Sequence, residues 1–144
     1  MTKEEILDKL EDLILKAHKS GDKYDFIDEA YDLTDEIEEH ENNHDFVEPI
    51  LKLIEKSPNI DFGGPGPLGS FIEQHYKKGY EDILVDSLNR KPTEYTIHLL
   101  HRLMNDKTNS KRNEYLNILK SIAGNQNLGK EITENAKEIL TYFT

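Results

Sequence analysis

The first chemistry the chain offers is a pair of histidines around a glutamate. His40-Glu41-Asn42-Asn43-His44 matches H-E-x-x-H. On a helix this spacing brings both imidazoles to one face, where they hold zinc while the glutamate acts as a base. The surroundings argue against that chemistry. A zinc-protease helix carries apolar residues around the motif because it packs against a sheet. Here the neighbours are Glu38, Glu39 and Asp45, and Asn42-Asn43 favours a helix end. Two solvated histidines at a helix terminus are the expected state. A zinc metalloenzyme stays as an alternative that rests on His40, Glu41 and His44 alone.

A second candidate is the glycine run Gly63-Gly64-Pro65-Gly66-Pro67-Leu68-Gly69-Ser70. A phosphate-binding loop needs Lys-Ser/Thr after its last glycine and a strand before the first, and neither is present. The run reads as a reversal between helix pairs, with Gly63, Gly64, Gly66 and Ser70 as a contact loop. His75, His98 and His101 have no Ser or Asp partner at a catalytic spacing. No nucleophile and base can be paired, so no catalytic residue, metal site or cofactor is expected.

Charge is the informative feature. Net charge is −11. Residues 1–57 hold 18 Asp and Glu against 7 Lys and Arg, whereas residues 58–144 hold 11 of each. Between Tyr24 and Leu51 there are 11 carboxylates and no Lys or Arg. Asp25, Asp28, Asp32, Asp35 and Glu39 fall on one helical face, with Glu36, Glu41 and Asp45 beside or beyond it. Like charges at i,i+3 and i,i+4 repel by a few tenths of a kcal/mol per pair, so the stripe costs stability without structural return. An ordinary solvated face and a binding face for a basic partner both account for it. Nucleic acid and anionic membranes are poor partners, because both are held through Lys and Arg.

These residues must be carried by helices. Ile6, Leu7, Leu10, Leu13, Ile14 and Ala17 make a 3.6-residue stripe behind a Thr2/Glu5 capping box, closed by Ser20-Gly21-Asp22. Tyr24, Ile27, Ala30, Tyr31, Leu33, Thr34 and Ile37 predict a second helix over 24–40. Phe46, Val47, Ile50, Leu51 and Ile54 predict a third over about 45–56, with Pro49 in its first turn. A short helix follows from Pro67, with Leu68, Phe71, Ile72 and Tyr76 inward and Gly79 as its stop. Tyr80, Ile83, Leu84 and Leu88 mark the next helix. Pro92 breaks it, Thr93 caps another, and Ile97, Leu100, Leu103 and Met104 line that one. Two more span 110–123 and 129–143. No segment alternates with a period of two, so no sheet is expected. The predicted fold is all-α, about eight helices in antiparallel pairs, as a short HEAT-like solenoid or a compact bundle.

At 144 residues the chain reads as one domain, with acidic N-terminal helices over 1–57, a central segment over 62–105 and C-terminal helices over 110–143. Cysteine is absent, which removes disulfides and thiol chemistry. No apolar run approaches the ~20 residues of a membrane span, and the N-terminus lacks a signal-peptide pattern. A cytoplasmic location follows as the expectation.

The central segment resembles a known family. Pro65-Gly66-Pro67-Leu68 before Phe71-Ile72-Glu73, then Ser87, Arg90, Pro92-Thr93, Thr96 and Arg102-Leu103, is similar to the middle of small helical immunity proteins. These accompany bacterial polymorphic toxins and contact-dependent growth-inhibition toxins. The resemblance covers about a third of the chain. It implies a non-enzymatic binder, a monomer in a 1:1 complex, that neutralises a cognate toxin. It also gives the acidic stripe a partner: a toxin nuclease presents a basic substrate cleft that carboxylates can occupy. A generic helical-repeat adaptor is the alternative.

Overall fold

The computed structural model describes residues 1–143 and contains helices and turns, with no strand among the described residues. The helices are α1 (Lys3–Ser20), α2 (Tyr24–Glu38), α3 (Val47–Lys56), α4 (Gly66–Glu73), α5 (Tyr80–Arg90), α6 (Glu94–Met104), α7 (Arg112–Ala123) and α8 (Lys130–Leu140). A 3-10 turn, Asn43–Phe46, leads into α3. The predicted all-α fold is thus observed.

Local signals set the ends. The Thr2 hydroxyl accepts from the Glu5 N–H, and the Glu5 carboxylate accepts from the Thr2 N–H, completing the predicted box. Thr93 and Thr96 make the same reciprocal cap on α6. The short link Lys91–Thr93 then forces α6 back beside α5. α1 and α2 pair likewise, as do α7 and α8. The pairs stack in two layers. In one, α1 meets α3 and α3 meets α5. In the other, α2 meets α4, and α4 touches α6 through Gly69 against Leu99. This is the layering of a short helical-repeat stack.

Three sequence expectations need correction. Tyr24 and Tyr31 are exposed, at 57% and 46%, and the buried face of α2 is Phe26, Ala30, Leu33, Thr34 and Ile37. The helix is rotated toward Phe26, whose ring meets Phe62 edge-on at 5.3 Å. A phenol loses less at the surface because its hydroxyl is wet there, whereas a phenyl ring gains more from burial. Second, α4 ends at Glu73, and residues 74–79 form turns rather than helix. Lys77 adopts φ +62° and Gly79 φ +107°, both incompatible with a right-handed helix. Third, two helices end early: α2 stops at Glu38, two residues short of the predicted end, and α8 stops at Leu140, three short of the predicted 143.

One polar cluster lies inside the apolar layers. Glu55 is 7% exposed, beside Leu51 and Ile54 on α3. Its carboxylate accepts from Ser87 Oγ at 2.9 Å and from Arg90 Nε at 2.8 Å, so α3 is tied to α5.

Candidate acidic interface

The surface of α2 is built by subtraction. Phe26, Ala30, Leu33 and Ile37 turn one side inward, and the opposite side must then carry Asp28, Asp32, Asp35 and Glu39. All four are exposed. At 1.5 Å per residue they form a ridge about 16 Å long. None of the four takes part in an ion pair among the described residues.

The flanks differ. Toward α1, Glu29 meets Lys16 at 3.5 Å and Glu36 meets the N-terminal ammonium at 3.3 Å. Asp25 is half-buried on that side. Toward α4, Tyr24 and Tyr31 stand exposed, and Glu38 accepts from Gln74 Nε2 at 2.7 Å. Glu41 and Asp45 are exposed past the helix end. Carboxylates also crowd the last turn of α2, which holds no basic residue. That end of the helix dipole is negative, so each nearby carboxylate costs about 0.3–1 kcal/mol. The fold gains nothing visible from the ridge.

The glycine run adjoins the start of α2 on its α4 side, where a Cβ on Gly63 would stand 3.7 Å from Ile27 Cδ1. Lys23, at the start of α2, reaches Asp61 at 3.4 Å. Of the predicted contact residues, Gly64 and Ser70 are exposed, Gly63 is half-buried and Gly66 is buried. Gly63 has φ +97°, and a side chain there would come within 2.6 Å of the Gly66 Cα. Gly69 is hemmed in by the Tyr95 hydroxyl and the Pro65 ring. Close packing therefore explains these two glycines without a ligand.

The residues that carry the family resemblance sit in the framework. Ser87 and Arg90 hold Glu55. Thr93 and Thr96 cap α6. Arg102 meets Glu73 at 2.8 Å, and the Tyr95 hydroxyl donates to the Pro65 carbonyl. They tie the framework together and lie apart from the acidic ridge. Sequence reasoning missed Glu55, because a lone carboxylate in an apolar stripe shows no local partner.

The H-E-x-x-H residues neither form one helical turn nor stand as the two solvated histidines expected from the sequence: both rings are part-buried against other rings, and the Nε2 of His44 is buried. His40 lies in a bend after α2, and His44 lies in the 3-10 turn. His40 packs edge-on against Phe46 at 5.3 Å, and His44 against His75 at 5.0 Å. Among the described residues no three His, Asp or Glu side chains converge as metal ligands would.

A broad cleft of about 1180 Å³ opens beside the glycine run, between residues 58–64, the start of α6 and the loop into α8. Phe62, Tyr95 and Ile132 contribute apolar wall, while Lys91, Glu94, Lys130 and Glu131 mix both signs at its rim. It has no charge bias comparable to the ridge.

Among the described residues no helix is long and apolar enough to cross a membrane. No protein-family model matches the sequence, and neither a curated protein nor a solved structure matches it significantly.

Proposed function

We propose that this protein is an immunity protein: a helical binder that neutralises a cognate bacterial toxin domain by covering its active site or substrate surface. The observation that carries the reading is the exposed ridge of Asp28, Asp32, Asp35 and Glu39, which has no internal cation and whose Asp35 and Glu39 lie at the end of α2 where the helix dipole disfavours them. The resemblance of the central segment supports it. In this reading the partner is a basic protein, most naturally a nuclease whose substrate cleft the carboxylates fill. Charge complementarity then speeds encounter and fixes register. The binder uses no cofactor, performs no chemistry and acts in the cytoplasm as one chain per toxin.

This reading places a toxin gene immediately upstream, and the test is co-expression with the toxin domain found there. Protection of growth together with a stable 1:1 complex supports the proposal. Toxicity unchanged by the protein, with no complex, rejects it and leaves the helical-repeat adaptor as the reading of this fold.

A further inference from the structure

His75 is 7% exposed, and its Nε2 is buried without a hydrogen-bond partner. The Nε2 of His44 is in the same condition. The two rings meet edge to face, 5.0 Å between centroids and 88° between planes. His75 also packs on the Phe71 ring of α4 at 5.2 Å, and His44 lies over Gly79. Buried polar atoms are normally paired, so two orphans in contact call for a reason.

The contact lies between two turns. His44 belongs to the 3-10 turn after α2, and His75 to the turn after α4. The residue before His75 repeats the connection, since Gln74 donates to Glu38 in the last turn of α2. The Asn43 side chain, in turn, donates to the Glu38 carbonyl at 3.3 Å. Adjacent residues of one turn thus grip the C-terminal end of α2 and the segment that follows it.

We propose that the His44–His75 contact is an acid-sensitive latch, which fastens the C-terminal end of α2 to the turn after α4 and opens under mildly acidic conditions. Neutral rings can share an N–H with a ring face. A proton added to His75 would leave a buried imidazolium with no carboxylate to accept it, close to the Lys78 ammonium. The charges around them do not compensate. His75 faces Phe71, His44 and the Lys78 ammonium, with no carboxylate acting on it. His44 has Lys3 of α1, Asp45, and Glu48 and Lys52 of α3 on its outer side, two of each sign. Glu48 is already engaged by Lys52 at 3.1 Å.

Burial, then His44 and Lys78, hold the His75 imidazole below its ordinary titration range. A lowered histidine means that the unfolded chain binds more protons. Its stabilising contribution is therefore complete above the unfolded value of ~6.5 and is lost as pH falls through the folded value. The latch is independent of what the acidic ridge binds.

The experiment follows the imidazole resonances and native-state amide exchange of the full chain from about pH 8 to pH 5, a window above most carboxylate titration. The expected result is that His75 titrates below ~6.5. Amides of residues 42–47 and 74–79 should then exchange several-fold faster relative to α6 as pH falls, after correction for intrinsic rates. In His75→Phe, which keeps a ring against Phe71 and cannot charge, that acceleration should disappear. An ordinary or raised titration of His75 in the parent overturns the latch without any variant. So does the same acceleration in His75→Phe.

Discussion

Arg90 of α5 grips Glu55 of α3 at two points, Nε to Oε1 at 2.8 Å and Nη2 to Oε2 at 2.6 Å. Burial raises the Glu55 pKa, but the hydrogen bonds from Arg90 and Ser87 with the Arg90 charge outweigh it, and the net shift is downward. Replacing Arg90 by Ala leaves a buried carboxylate with only Ser87. The expected loss is about 2 kcal/mol, below the full cost of breaking a buried pair because the guanidinium is partly exposed. Urea unfolding measures it. The sign with pH is also fixed. A lowered carboxylate contributes stability above ~4.3 and loses it as pH falls through the folded value. The gap between parent and Arg90→Ala should therefore narrow in acid.

Gly69→Ala should destabilise the protein, against the usual trend. Gly to Ala inside a helix ordinarily gains up to about 1 kcal/mol. At Gly69 the new Cβ would stand 2.6 Å from the Tyr95 hydroxyl and 2.7 Å from the Pro65 Cβ. Overpacking of that kind costs about 1–3 kcal/mol. The balance favours loss, read as a lower thermal midpoint.

Removing divalent metal should change nothing. His40 and His44 face Phe46 and His75 rather than a shared point. A chelator should leave the thermal midpoint where it was, and added zinc should not bind stoichiometrically. A midpoint that falls on chelation would restore the H-E-x-x-H reading.

How far the sequence could be read is visible in single residues. Thr2, Gly21 and Thr93 announce helix ends because a cap is decided within three or four residues. Tyr24 and Tyr31 misled because an amphipathic ring fits either face, and only Phe62, far along the chain, fixes Phe26 as the inward one. Glu55 was illegible for the same reason. Its partners lie 32 and 35 residues away, so no local pattern distinguishes a paired carboxylate from a misplaced one. The acidic ridge was legible because helical spacing alone places Asp28, Asp32 and Asp35 together. What it binds is a property of a second molecule.

The central claim is that this ridge meets a basic toxin surface. Asp32→Lys with Asp35→Lys tests it most directly. In the free protein the double change relieves like-charge repulsion and suits the dipole at the end of α2, so stability should be equal or slightly higher. The measurement is the association rate and affinity for the toxin across a salt series, parent against double variant. The account predicts that parent association slows as salt rises, and that the double variant binds more weakly with a flatter salt slope. Unchanged affinity together with an unchanged slope would contradict it and place the interface away from α2.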